Sequence, residues 1–295
     1  MNSNKKTISL VLGSGGARGL AHIGVIKWLK ENNFEIKSIS GCSIGSLIGG
    51  IYAAGKLDQL EKWMCSITSK DIISLLDISW DGSGLFKGDK IINTLVEFIG
   101  DIQIEYLPIH FTAVAVDVDA EKEVWINSGS LFDAIRASIS LPLFFTPFNY
   151  NGVYLIDGGV LNPVPIAPTF SDPTDLTIAV NLGGAFSKPE NKKIISPSQE
   201  KVELSFQNSI NEFIQNLKVK SKTPIKQNWG MYEVAEKAFD AMQGTIARQK
   251  LAAYPPDIEI EIARNACGTL EFNRASEMID LGYQKAKEYA LNRTN

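Results

Sequence analysis

Residues 7–12 (TISLVL) form an apolar run with little alternation, closed by glycines, which predicts a strand buried on both faces. The period then changes. In ARGLAHIGVIKWLKENN, Leu20, Ile23, Val25, Ile26 and Leu29 fall at helical spacing. A second short apolar run at 36–40 predicts another strand, and residues 44–54 read as a helix of small residues able to pack close to a sheet. The first 55 residues therefore read strand, loop, helix, strand, turn, helix, which is a parallel α/β unit with a right-handed crossover.

Residues 57–99 read as mostly helical, interrupted by SWDGSGLFKGD. Alternation at 110–117 and 123–127 predicts two strands, and LFDAIRAS predicts a helix that stops near Pro142. A short strand at 153–156 runs into Asp157-Gly158-Gly159, and 176–182 is a further buried strand. The expected fold class is α/β, with a central, mostly parallel sheet flanked by helices. It is read as one domain over 1–295, with its core at 7–185 and helices at the C-terminal end.

Composition changes the picture after Gly184. Between Phe186 and Trp229 stand eight lysines, four glutamates and neither Asp nor Arg, a local charge of +4 in a chain whose net charge is -4. Within it Phe206, Ile210, Phe213, Ile214 and Leu217 share one helical face. That face either packs on the protein as an ordinary surface helix does, or lies on an anionic membrane as a peripheral contact or lid.

The chain is mildly acidic, with a sequence pI of about 5.4, and so lacks the basic footprint of a nucleic-acid binder. Three cysteines, Cys42, Cys65 and Cys267, make no disulfide framework and fit a reducing compartment. Two histidines and no Cys-x-x-Cys argue against a metal site. The apolar run after Lys5 and Lys6 is too short for a signal peptide, and no stretch approaches membrane-spanning length. The expectation is a cytoplasmic protein of open oligomeric state.

The candidate chemistry starts at GCSIG, residues 41–45, where Gly41, Ser43 and Gly45 give G-x-S-x-G at a strand-to-helix junction. One reading is a nucleophile elbow that lifts a serine hydroxyl clear of the sheet. The other is a glycine-rich turn that happens to contain serine. A serine nucleophile needs a base and donors for the oxyanion. The order Ser, acid, His is impossible with Asp157 as the acid, because His22 and His110 are the only histidines. Both are expected to be structural. Asp157 ends an apolar strand, at the sheet edge where ligands of parallel α/β sheets bind. A plain turn is the rival use of Asp-Gly-Gly. Cys42, beside the serine, is a weaker alternative nucleophile. The loop GSGGARG, residues 13–19, joins a strand to a helix and could offer its amides to an anion. It does not fit the dinucleotide fingerprint, since Arg18 or Ser14 falls where glycine is needed. No cofactor is expected.

Together GSGGARGLAHIGV (13–25), GCSIG (41–45), RASISLPLFFTP (136–147) and DGG (157–159) resemble the patatin-like phospholipases of bacteria. The resemblance covers roughly the first 185 residues. It implies a patatin-like Ser-Asp hydrolase fold and a lipid or acyl-ester substrate, cleaved through an acyl-enzyme. By position, Ser43 matches the family nucleophile, Asp157 its partner, and Gly15 and Gly16 the oxyanion glycines. Arg18 matches the basic residue of that loop, with Gly19 beside it, and Gly41, Gly45, Gly158 and Gly159 match the glycines of the elbow and turn. Ser14 stands where the family commonly has another glycine. A non-catalytic lipid- or acyl-binding protein on the same fold is the alternative, with a nucleotide-binding α/β protein a weaker one.

Overall fold

A computed structural model describes residues 5–75, 77, 86–187 and 231–291. The helical face at 206–217 and nearly all of the lysine-rich stretch lie outside those residues. By compactness the chain divides into Met1–Ser187 with Asp240–Asn295, and Lys188–Phe239. Of the second unit only residues 231–239, the first turns of a helix, are described.

In the first unit, β1 (Lys6–Leu12) leads through a 3-10 turn to α1 (Ala21–Glu31), and β2 (Phe34–Cys42) leads to α2 (Ile44–Ala53). Helices α3 (Leu57–Ser66), α4 (Ser69–Leu75) and α5 (Asp89–Ile99) follow. Next come β3 (His110–Asp117), β4 (Lys122–Ile126), α6 (Leu131–Ser138), β5 (Phe148–Tyr150), β6 (Val153–Asp157) and β7 (Leu176–Gly184). The chain closes with α7 (Met231–Ala253), β8 (Ile258–Ala263) and α8 (Ala275–Leu291). Strands β3, β2, β1, β7 and β8 are mutually parallel, in that order, while β4, β5 and β6 add antiparallel pairings.

The inner strands β1 and β7 are buried on both faces along most of their length, which is why β1 shows no alternation. Ile8, Leu10 and Leu12 join the main core under α1, α2 and α8. Val11 and Ala179 point the other way, into a smaller cluster with Val164, Ile166 and the α7 residues Ala247 and Leu251. Helix α1 lies so close to α8 that a side chain on Gly24 would meet the backbone at Ile279, and one on Gly282 the backbone at Ala21.

Two strands escape the pattern reading. Only helices are expected after residue 229, yet β8 (IEIEIA) pairs with β7. Its isoleucines do alternate: Ile260 and Ile262 are buried while glutamates face outward, the signature of an edge strand. Strand β5 forms a hairpin with β6 through Asn151-Gly152, both at positive φ, the turn that Asn-Gly favours.

One detail of register positions the site. Val114 pairs with Cys42 of β2 and with Trp125 of β4; Ala115 pairs with Val124 of β4 and with Asp157 of β6. A strand residue has two flanks, and β4 occupies one of them. Strands β2 and β6 therefore share the other flank of β3 and change over between Val114 and Ala115. The end of β2 and the end of β6 are thus brought together.

Candidate functional site

Strand β2 ends at Cys42 and α2 begins at Ile44, so a single residue, Ser43, makes the turn. Its backbone sits at φ 54° and ψ -125°, a region that a side chain makes costly by about 1–3 kcal/mol. The turn is this tight because Gly45 lies against the carbonyl of Leu12, leaving no room for a side chain. The Ser43 carbonyl accepts the amides of Ser46 and Leu47 at 2.9 and 3.2 Å and the Ser46 hydroxyl at 2.7 Å. Its amide donates to Ser138 Oγ at 2.9 Å. The residue is half-buried, at the mouth of a fully packed helix.

Asp157 is fully buried. Its amide donates to the Ser140 carbonyl at 2.9 Å. Oδ1 accepts the Gly159 amide at 2.7 Å and lies 3.8 Å from the Cys42 thiol, which donates to it. Burial pushes the carboxyl up to about 6, against the opposing pull of the Ser43 hydroxyl, the Gly159 amide and Cys42. Oδ2 has no partner at full hydrogen-bond geometry among the described residues, although the Ser43 hydroxyl is near enough to influence the titration. Such contacts are commonly long before substrate binds. Burial, with Asp157 close by, drives the Cys42 thiol well above its ordinary value and keeps it protonated.

The glycine-rich loop closes the third side. The amides of Gly13, Ser14 and Ala17 donate to the carbonyls of Val180, Pro163 and Thr269, at 3.0, 2.8 and 2.9 Å. Between them, the amides of Gly15 and Gly16 have no partner among the described residues. Arg18 is buried under the loop. Its Nε donates to the Gly15 carbonyl at 3.0 Å, Nη1 to the Arg264 carbonyl at 2.8 Å, and Nη2 to Asp240 of α7 at 2.7 Å. Gly19 leaves the space that Ile44 fills, so the loop and the elbow touch there.

Both histidines fall outside this chemistry. His22 is buried, and its Nε2 donates to the Gly13 carbonyl at 2.9 Å. Burial lowers it to about 4, so it is a neutral brace for the loop. His110 is exposed where β3 begins, paired in register with Ser38. Ser14 takes its loop position without positive φ, and its Oγ accepts from Gln243 Nε2 at 3.2 Å. Gly158 and Gly159 form the turn that follows Asp157, with Gly158 against the Val114 carbonyl.

Several supporting residues carry no signal of their own in the sequence. Asp240, Gln243 and Arg264 reach the loop from more than 200 residues away. Arg136, Ser138 and Ser140 could have been suspected, because three polar residues alternate with apolar ones across the end of a helix. All three are buried. Among the described residues, no three His, Cys, Asp or Glu side chains converge as metal ligands do, and no helix is long and apolar enough to cross a membrane.

The family model described as patatin-like phospholipase matches residues 10–170. An uncharacterized NTE family protein of Mycobacterium tuberculosis is 35% identical, across 95% of this chain and 90% of that protein. A neuropathy target esterase of Drosophila persimilis is 34% identical over 54% of this chain, but only 12% of its own length is matched. Among solved structures, VipD from Legionella pneumophila aligns over 97% of this chain and 67% of that one, with 17% identity and a TM-score of 0.43. A match to more than half the chain, running through the loop, the elbow and the Asp-Gly-Gly turn, places the chain in the patatin-like phospholipase family.

Proposed function

We propose that the protein is a lipid acyl hydrolase in which Ser43 attacks an ester carbonyl and Asp157 takes its proton. The observation that carries this reading is a fully buried carboxylate beside the hydroxyl of a serine held on a strained, one-residue turn. A carboxylate raised to about 6 is mostly ionised at neutral pH yet more basic than one in water, as a general base should be. The free amides of Gly15 and Gly16 are suited to an oxyanion, and the loop's rigid anchors keep them oriented in advance. The acyl-enzyme would then be released by water activated at Asp157, giving a free fatty acid. The phospholipase in the family's name and the esterase among the relatives support an ester of a lipid as the substrate class. Contact of residues 186–229 with an anionic lipid surface belongs to the same proposal and rests on their charge of +4.

A fluorophosphonate probe tests the reading. It should label Ser43, and Ser43→Ala should abolish both labelling and fatty-acid release from phospholipid vesicles. A folded protein that neither labels at Ser43 nor releases fatty acid would leave the acyl-binding alternative in its place.

A further inference from the structure

We infer that Ser138 is a positioning residue for the nucleophile, and that the short segment Ser138–Ser140 fixes the spacing between Ser43 and Asp157. The inference rests on the Ser43–Asp157 reading above. It starts from the changeover on the flank of β3. Strand β2 pairs with β3 up to Cys42 and Val114, and β6 takes over at Ala115. The first amide beyond the changeover belongs to Ser43, and its acceptor is a side chain: Ser138 Oγ, at 2.9 Å. That hydroxyl donates its own proton to the Val114 carbonyl at 2.7 Å. One hydroxyl is thus interposed between the nucleophile's amide and the strand carbonyl.

The direction of each bond matters. A serine hydroxyl has one proton. Here it is committed to Val114, which leaves a lone pair facing the Ser43 amide. Ser138 is fully buried, so water cannot substitute for it. Rotation about the Ser43 N–Cα bond turns the amide relative to the side chain and the carbonyl. Holding the amide therefore holds φ at 54°, where an L-residue does not rest unaided. The contacts of the Ser43 carbonyl fix the other side of the residue and leave φ free.

The base is held by the same segment. Two residues after Ser138, the Ser140 carbonyl accepts the Asp157 amide at 2.9 Å. Ser140 is itself pinned, since its Oγ accepts from Arg136 Nη1 at 2.7 Å and donates to the Arg136 carbonyl at 2.8 Å. The nucleophile and the base come from strands that do not pair with each other. A stretch of three residues touching both sets their separation more directly than the sheet does.

Ser138→Ala leaves a buried amide without an acceptor and frees the elbow to relax. The expected result is a fall of about 10- to 100-fold in the rate of fluorophosphonate labelling at Ser43. The value of kcat on a soluble p-nitrophenyl ester should fall equally, with KM within about twofold. Ser138→Thr, which keeps the hydroxyl, should recover most of the rate. Ser40→Ala is the control: Ser40 Oγ is equally buried on β2 but has no partner among the described residues, so labelling should be unchanged. Should Ser138→Ala not fold, Ser138→Cys takes its place, and labelling per folded molecule must rank Ser, then Thr, then Cys. Labelling of the folded Ser138→Ala protein at the unsubstituted rate, or a failed ranking, would overturn the positioning role alone. An unsubstituted protein that does not label at Ser43 overturns the underlying reading first, and the positioning role with it.

Discussion

Two neighbouring parallel strands, β1 and β2, each run into a helix, and the two junctions are built in opposite ways. The β2 junction is one residue long and strained. Its contacts are to the adjoining helix and strands and to the Ser138 hydroxyl. The β1 junction is a wide loop, and its anchors are Pro163, Val180, Asp240, Arg264 and Thr269, drawn from distant parts of the chain. The difference suits the two proposed tasks. A nucleophile needs one exposed atom in a defined direction, which a tight turn supplies. An anion site needs two adjacent amides kept free of partners, and a loop leaves amides free only when the rest of its polar groups are tied elsewhere.

The largest effect should come at the point where the elbow meets its base. Asp157→Asn should lower turnover about a thousandfold or more, as loss of a catalytic partner commonly does. It should also stabilise the fold. The folded state holds the Asp157 proton up to about pH 6, while the unfolded chain releases it near its ordinary 3.8. Stability is therefore lost as pH rises between those values, by up to roughly 3 kcal/mol for a fully buried group. Thermal melts should show the Asn variant more stable than the parent at pH 7.5, with the gap closing toward pH 4. In the parent, kcat/KM should fall as pH drops through about 6. A profile flat to pH 5 would remove Asp157 as the base.

The wide junction should be less costly to disturb. Arg18→Gln removes the link from the loop to Asp240 and the Arg264 carbonyl, and about a 10- to 100-fold loss of kcat is expected with Ser43 still in its strained turn. Stopped assays at matched temperature on folded protein separate this from unfolding. An equal loss on Asp157→Asn and Arg18→Gln would mean that the two junctions act as one unit.

The smallest effect should be at Ser14. Its backbone does not need glycine, and its hydroxyl accepts a weak 3.2 Å bond from Gln243 and lies near the Cys42 thiol. Ser14→Gly should change turnover by less than about threefold. A large gain would show that the loop is held back by this residue.

Much of this was legible before any coordinates. The two β-α units, the elbow at Gly41–Gly45 and the strand ending at Asp157 follow from short-range rules, because strand period, glycine spacing and turn residues act within a few positions. Strand β8 and the hairpin turn at Asn151-Gly152 obey the same rules, although the first lies in a region expected to be helical and the second in one with no element expected. What the chain order could not decide was contact. That β2 and β6 share one flank of β3 is a matter of register between segments about 115 residues apart, and it is what places Ser43 beside Asp157. The burial that lifts Asp157 to about 6 arises from everything packed around it. The acceptors that hold the Gly13, Ser14 and Ala17 amides on either side of Gly15 and Gly16, and the hydroxyl that holds Ser43, lie on elements remote in sequence. Local sequence determines which conformations each segment can take; only the packed chain determines which polar groups are left with partners and which are left free to act.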